Sequence, residues 1–169
     1  MYDLIRFGGN EVLSRLFLSK AARLGAAQAP GGPPETCSKE GGPAMGDTPV
    51  VLVVEDEWLL RDCIAAHLRA ARWHVLEARS GEAAIALLNA GKHVDVVVTD
   101  IELGGSINGW SVGKRFRTIL PQIGVIYTSG KAWPSAQAVA RSLFISKPYE
   151  ADAITQACRI TLCDGRPPC

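Results

Sequence analysis

Two nearly uninterrupted runs of apolar, mostly β-branched residues constrain the fold more than any other feature of the chain. The first run is PVVLVV at residues 49–54, and the second is VDVVVT at residues 94–99. A strand with one face in water alternates polar and apolar residues, whereas a continuous run indicates a strand that is covered on both faces. The two runs therefore predict a parallel sheet with helices packed on both sides.

Strand and helix signals alternate along the rest of the sequence. Predicted strands cover residues 49–54, 74–77, 94–99, 123–128 and 143–146, and predicted helices cover 58–71, 80–91, 110–120 and 150–162. Only 18 residues separate Thr128 from Lys147, and Pro134 lies among them. Because this connection has little room for a full helix, we expect a short helix or a loop there.

Glycine and proline mark the boundary of the folded domain. Between Gly25 and Gly46 there are six glycines and four prolines in 22 residues, with almost no large apolar side chain. Such a segment cannot offset the entropy of ordering itself. We therefore predict a disordered or weakly helical extension and linker over 1–46, one domain over 47–163, and a short tail over 164–169. An alternative is that translation starts at Met45.

Charge and cysteine content exclude several classes of protein. The net charge of +1 argues against an electrostatic nucleic-acid binder. The sequence contains no run of 18 apolar residues, so no membrane span is predicted. The five cysteines lack the spacing of a zinc site, which favours a reducing, cytoplasmic location. Cys63 and Cys158 are predicted to lie on apolar helix faces, where a thiol packs like a small apolar side chain.

Polar side chains follow four of the five predicted strands. Glu55 and Asp56 follow the first strand, Asp100 follows the third, Thr128 ends the fourth and Lys147 follows the fifth. The carboxyl ends of parallel strands meet at one sheet edge, where functional groups gather. Crowded carboxylates repel each other unless a cation lies among them, and oxygen ligands suit Mg²⁺. A carboxylate beside Mg²⁺ can attack phosphorus, with lysine and hydroxyl groups holding the phosphoryl oxygens.

Four motifs in order carry a resemblance to a known family. They are VLVVEDE at 51–57, VVVTD at 96–100, VIYTSG at 125–130 and SKPY at 146–149. With these motifs, residues 48–162 resemble a response-regulator receiver domain of two-component signalling. The resemblance implies a flavodoxin-like, doubly wound α/β fold, with a five-stranded parallel sheet in the order 2-1-3-4-5 and helices on both faces.

The resemblance also implies residue roles. Asp100 would be the phosphoacceptor, with Thr128 and Lys147 contacting the phosphoryl group. The Mg²⁺ ligands would be Asp56, Asp100, Glu55 and the backbone carbonyl of Glu102. Phe144, three residues before the lysine, matches the aromatic residue whose rotamer follows that of the threonine.

Three further points concern the loops around the site, and the last two are departures from the family pattern. Pro148 would follow Lys147 through a cis peptide bond, as is usual in the family. The proline that often follows the phosphoacceptor is replaced here by Gly104-Gly105, which should loosen that loop. The short connection before Lys147 alters the face through which many receivers dimerise, so their usual dimer is not expected.

The function implied is that of a stand-alone bacterial signalling module rather than an enzyme. A sensor histidine kinase or a histidine phosphotransfer protein would donate the phosphoryl group. The output would be contact with a downstream protein, or service as a phosphate shuttle or sink. Two alternatives remain at this stage: a degenerate receiver that acts as an unphosphorylated scaffold, and a small Mg²⁺-dependent phosphatase of the haloacid dehalogenase type. The latter needs a second Asp two residues after the nucleophile, where this chain has Glu102.

Overall fold

A parallel sheet forms the centre of the computed structural model, which describes residues 6–7, 48–131 and 135–165. The five main strands are β1 (Val50–Val54), β2 (His74–Ala78), β3 (Val96–Asp100), β4 (Gly124–Ser129) and β5 (Leu143–Ser146). Their order is β2-β1-β3-β4-β5, and all neighbours pair in parallel. The predicted strand order 2-1-3-4-5 is confirmed.

Four helices cover the two faces of this sheet. They are α1 (Trp58–Ala70), α2 (Gly81–Asn89), α3 (Gly109–Ile119) and α4 (Ala151–Gly165). Helix α1 packs against α4, and α2 packs against α3, so each face carries one pair. Because both faces are covered, every residue of β3 and of β4 is buried, which explains the continuous apolar runs in the sequence.

The connection from β4 to β5 lacks a full helix among its described residues. A single turn of 3-10 helix, Ser135–Gln137, takes that place. The side chain of Arg117 on α3 reaches across to it, with Nη1 donating to the carbonyl oxygen of Ala140 over 2.8 Å. The expectation of a short or irregular fourth helix is confirmed.

Two sequence predictions needed correction in this part of the fold. The third strand begins at Val96, two residues later than predicted. The preceding residue, Asp95, accepts a hydrogen bond at its side chain from the N–H of Val50 over 2.8 Å. Cys63 is exposed rather than on an apolar face. The buried stripe of α1 is Ile64, Ala65 and Leu68, and one residue before Ile64 turns the side chain about 100° away.

Cys158 does lie in the core, as predicted. It is buried on α4, and loss of solvation raises the pKa of its thiol to about 12. The thiol therefore stays neutral and packs as an apolar group.

The chain outside the central domain is described only in part. A two-residue strand, Arg6–Phe7, is described there. The remaining predictions for residues 1–46, and those for the last four residues, lie outside the described residues. Within the described ranges, none of the helices has the length and apolar content needed to cross a membrane.

A tyrosine fills the core between β4 and α3. Tyr127 is fully buried, and its ring centroid lies 4.5 Å from that of Trp110 with the rings tilted by 49°. Gly113 faces it from α3, where an added Cβ would lie only 2.1 Å from the tyrosine Oη. Glycine inside a helix costs about 1 kcal/mol relative to alanine. Here it makes room for a large aromatic side chain.

Gly113→Ala should therefore destabilise the domain despite its better helix propensity. The new methyl group would overlap the Tyr127 hydroxyl, and overpacking of this kind costs about 1–3 kcal/mol. Thermal unfolding followed by circular dichroism measures the change. Gly130→Ala is the matched control, since its Cβ meets nothing within 4 Å. Equal midpoints for the two variants would contradict the packing argument.

Candidate functional site

The carboxyl edge of the sheet brings together the side chains expected there. Asp100 is the last residue of β3 and pairs in register with Thr128 on β4. The backbone N–H of Lys147 donates to the carbonyl oxygen of Ser129 over 2.8 Å, which ties the end of β5 to that of β4. Glu55 directly follows β1. Parallel pairing thus sets the spacing of the site.

Three carboxylates form the core of this edge. One oxygen from each of Glu55, Asp56 and Asp100 lies within 4.8 Å of the others. Glu55 and Asp100 are only 2% and 6% exposed, whereas Asp56 is open to solvent. A set of oxygen ligands with one side in water fits Mg²⁺, which retains several of its own water ligands.

Lys147 pairs with both buried carboxylates and offsets part of their charge. Its Nζ lies 2.5 Å from Asp100 Oδ2 and 2.9 Å from Glu55 Oε2. Burial alone would lower the pKa of this ammonium, but hydrogen bonds and Coulomb attraction from Asp100 and Glu55 outweigh burial and raise it. The lysine is therefore charged at neutral pH, and its ammonium lies where it can contact a group bound to Asp100.

Glu55 is the buried carboxylate that directly follows β1. Burial raises its pKa, and the charge of Asp100 adds to the shift, while the hydrogen bond from Lys147 opposes it. The backbone at this point is fixed by Arg61, whose Nη1 donates to the Glu55 carbonyl oxygen over 2.7 Å. The fold thus disfavours the Glu55 anion relative to water, and Lys147 offsets part of that effect.

Thr128 is buried beside the phosphoacceptor candidate. Only 1% of Thr128 is exposed. Its carbonyl oxygen accepts a hydrogen bond from the N–H of Ile101 over 2.9 Å. The next residue, Ser129, accepts a hydrogen bond at its Oγ from the N–H of Lys131, which closes the turn after β4. The hydroxyl of Thr128 therefore lies on an ordered strand end.

The loop after Asp100 is hydrogen-bonded to two carboxylates of other elements. The loosening expected for Gly104-Gly105 stays a prediction. The N–H of Gly104 donates to Asp56 Oδ2 over 3.0 Å. Farther along, Glu82 Oε1 accepts hydrogen bonds from the N–H and Oγ of Ser106 and from the N–H of Ile107. Sequence analysis missed Glu82 because it is 24 residues from Ser106 and only the fold brings them together.

An ion pair lies at the mouth of the site. Lys131 Nζ contacts Glu102 Oε1, and both side chains are exposed. The N–H of Glu102 donates to Asp100 Oδ1 over 3.0 Å, so this residue also orients the phosphoacceptor candidate. The use of its backbone carbonyl as a metal ligand stays a prediction. No signal in the sequence singled out Lys131.

Tyr149 is a further group near the site that the sequence analysis quoted only as part of a motif. Burial raises the pKa of its phenol to about 12. The charge of Lys147 lowers this pKa, whereas the charges of Glu55 and Asp100 raise it. The Lys147–Pro148 peptide bond that precedes it is cis, as the resemblance implied.

Phe144 is buried on β5, in register with Tyr127. It belongs to the apolar cluster that also contains Trp110 and Phe116. The side chain therefore lies in the core rather than at the surface. Its role as a switch stays a prediction.

Lys147→Met should destabilise the domain, because it leaves the carboxylates of Glu55 and Asp100 buried without a cation. Breaking a buried pair costs about 3–5 kcal/mol, and we expect about 2–4 kcal/mol here since the lysine side chain is 23% exposed. Adding Mg²⁺ should raise the melting temperature of the variant more than that of the parent.

Lys131→Met is the control for this experiment. It removes an ammonium from an exposed pair, so the melting temperature should hardly change.

In the parent, the contribution of Lys147 to the free energy of unfolding is fully present below the unfolded lysine pKa of about 10.4. It is lost as the pH rises through the raised folded pKa. A variant that melts like the parent at pH 7 would show that Lys147 does not stabilise the carboxylates.

Glu55→Gln should stabilise the domain at neutral pH. The raised pKa means that the folded state disfavours the Glu55 anion, so stability falls as the pH rises from the unfolded pKa of about 4.3 through the folded one. Removal of the charge abolishes this loss. Each 1 kcal/mol gained shifts the melting temperature by about 2–4 °C for a chain of this size.

The pH dependence is the decisive measurement for Glu55→Gln. The gain in melting temperature should vanish below about pH 4, where the parent residue is protonated as well. A variant that is less stable than the parent at pH 7 would contradict the assigned direction of the pKa.

The chain is similar to known proteins in both sequence and fold. The sequence model of the response regulator receiver domain matches residues 51–159. A crystal structure of a response regulator receiver protein from Sinorhizobium medicae superposes with a TM-score of 0.68 at 28% identity, covering 71% of this chain and 98% of that one. The response regulator TrrA from Thermotoga maritima, solved in complex with Mg²⁺-BeF, superposes with a TM-score of 0.62 at 23% identity, covering 68% and 100%.

A curated relative is much longer. The autoinducer 1 sensor kinase/phosphatase LuxN of Vibrio campbellii is 28% identical over 85 residues, which are 50% of this chain and 10% of LuxN. This chain thus spans about a tenth of that relative. The match of residues 51–159 covers more than half of the chain and coincides with the sheet, the four helices and the acidic edge. The chain belongs to the response regulator receiver domain family.

Proposed function

We propose that this chain is a phosphorylation-controlled signalling module that accepts a phosphoryl group on Asp100. The observation that carries the proposal is the position of this carboxylate. It lies within 4.8 Å of the Glu55 and Asp56 oxygens, and Lys147 Nζ is 2.5 Å from its Oδ2. An isolated capping aspartate would have neither neighbour. Receiver domains act in two-component signalling, so the donor is a sensor histidine kinase or a histidine phosphotransfer protein.

The residues around Asp100 supply the parts that phosphoryl transfer needs. The phosphorus–nitrogen bond of a donor phosphohistidine breaks as the phosphorus–oxygen bond to the Asp100 carboxylate forms, and the electron pair returns to the imidazole. Asp100 is already oriented, since Oδ1 accepts from the N–H of Glu102 and Oδ2 from Lys147. The transferred group then takes over Lys147 as its partner, which offsets the added negative charge.

Mg²⁺ fits the carboxylate cluster. Asp56, the solvent-exposed member, would be the direct ligand, and Asp100 and Glu55 would supply further oxygens. The backbone carbonyl of Glu102 would complete the set of protein oxygens. When bound, the ion neutralises charge on the phosphoryl oxygens. The complex of TrrA with Mg²⁺-BeF, in a fold of the same kind, supports this assignment.

The signal passes from the site to the surface through β4 and β5. In our proposal, the hydroxyl of Thr128 moves to bond the phosphoryl group, and Phe144 changes rotamer with it. Thr128 pairs in register with Ile145, the residue next to Phe144, so the two side chains belong to adjoining strands. Phosphorylation would then bias an equilibrium between two surfaces that already exist in the free protein.

The output in this proposal is contact with a downstream protein, or service as a phosphate shuttle or sink in the cytoplasm. The module does not turn over an external substrate and catalyses only its own phosphorylation and dephosphorylation. Nucleic acid is not a partner in this proposal, because the net charge is only +1.

Incubation with acetyl phosphate and Mg²⁺ tests the phosphoacceptor. The parent should shift on a phosphate-affinity gel, and Asp100→Asn should abolish the shift because an amide cannot form the acyl phosphate. Asp62→Asn, which changes an exposed aspartate on α1, is the control and should label like the parent.

Three outcomes separate the alternatives. Labelling of Asp100→Asn at the parent's rate would refute the assignment. No labelling of the parent, together with partner binding that beryllofluoride leaves unchanged, would favour an unphosphorylated scaffold. Mg²⁺-dependent turnover of a generic phosphatase substrate would favour a phosphatase.

A further inference from the structure

One carboxylate from a different element holds the loop that follows Asp100. Glu82 lies in the first turn of α2, and its Oε1 accepts from the N–H of Ser106 over 2.9 Å, the Oγ of Ser106 over 2.8 Å and the N–H of Ile107 over 3.1 Å. Three donors on one oxygen fix the direction of the loop, since each bond constrains it from a different angle.

The carboxylate of Glu82 is kept ionised by these donors. The hydroxyl of Ser106 contributes most, followed by the backbone of Glu82 itself, the side chain of Ser80 and the backbone of Ser106, so that the pKa of Glu82 falls to about 2. A negative charge is also favoured in the first turn of a helix. The helix explains the presence of an acidic residue at this position, but it does not explain why its oxygen takes three donors from another loop.

Two glycines make room for this contact. Gly105 has a φ of +137°, and a Cβ there would lie 3.0 Å from Glu82 Oε2. Gly81 starts α2, and a Cβ there would lie 2.3 Å from the carbonyl oxygen of Ile107. Side chains at either position would push the loop away from Glu82. The loop and the start of α2 are therefore shaped to fit each other.

The other end of the same loop reaches the acidic cluster. The N–H of Gly104 donates to Asp56 Oδ2 over 3.0 Å, and Asp56 is the only exposed member of the three-carboxylate cluster. An exposed carboxylate with few neighbours rotates freely unless something holds it. Here a backbone donor two residues before Ser106 holds it, so the placement of Asp56 depends on the placement of the loop.

We propose that Glu82 is a positioning residue for phosphoryl transfer, which acts through the Gly104–Ile107 loop to hold Asp56 in its place beside Asp100. The inference rests on the proposed function, because it assigns Asp56 to the metal-binding edge. It adds a residue outside the four family motifs, on an element that contributes no side chain to the acidic cluster.

Glu82→Ala tests the proposal with two measurements. Calorimetric titration with Mg²⁺ should show a Kd about tenfold higher than in the parent, in the range of about 10–100-fold found when a group that orients a metal ligand is removed. Amide hydrogen exchange should show faster exchange at Ser106 and Ile107. Labelling by acetyl phosphate should recover at high Mg²⁺, since Asp56 itself is still present.

Two further variants separate positioning from a general effect on the fold. Glu82→Gln keeps an oxygen that accepts from the same donors, so it should recover most of the Mg²⁺ affinity. Asp152→Ala is the matched control, because Asp152 is an exposed carboxylate in the first turn of α4, and it should leave the Kd unchanged.

Gly105→Ala provides an independent route to the same result. Its methyl group would crowd the Glu82 carboxylate, and alanine strains the backbone at a φ of +137°, so it should raise the Kd for Mg²⁺ by a similar factor. Combined with Glu82→Ala, it should add little, since both changes release the same loop. Independent, multiplying effects would overturn the proposal.

The failure of this inference differs from that of the proposed function. If Glu82→Ala loosens the loop amides but leaves the Kd for Mg²⁺ and the labelling rate at the parent's values, Glu82 is only structural and the inference is wrong. If the parent binds Mg²⁺ but Asp100 does not label, the proposed function fails, and the effect of Glu82 on the Mg²⁺ Kd can still be measured.

Discussion

The site at the carboxyl edge of the sheet depends on the attraction between two buried carboxylates and one ammonium. Glu55 and Asp100 lie side by side because the parallel ladder places the ends of β1 and β3 next to each other. Two such anions repel each other strongly in a poorly solvated place. Lys147 reaches both, and the hydrogen bond from its backbone to Ser129 fixes where the side chain starts. The same ammonium then serves any group that is attached to Asp100.

The sequence allowed the fold and most of the site to be predicted, for a simple physical reason. Strands buried on both faces must be apolar throughout, so PVVLVV and VDVVVT were visible as strands, and polar residues directly after them had to lie at one edge. The backbone of a strand determines where the side chains at its end lie. The places of Glu55, Asp100, Thr128 and Lys147 therefore followed from the strand assignment alone.

Contacts between separate elements could not be predicted in this way. Glu82 bonds a loop 24 residues away, and Lys131 meets Glu102 across 29 residues, so neither pairing leaves a local pattern. The Gly104-Gly105 pair suggested a loose loop because glycine is flexible in isolation. In the fold, the missing side chains allow close approach of a carboxylate. Cys63 shows a different limit, since a shift of one helical position separates the buried face from the exposed one.

The fit of Tyr127 against Gly113 has a consequence for how sequences of this type can diverge. A side chain at position 113 and a tyrosine at position 127 cannot occupy the same space, because only 2.1 Å separates the added Cβ from Oη. Neither position can therefore vary freely on its own. In relatives that keep this helix–strand spacing, we expect the two positions to covary, with a larger residue at 113 accompanied by a smaller one at 127. Two positions that lie 14 residues apart in the sequence would thus change together during divergence.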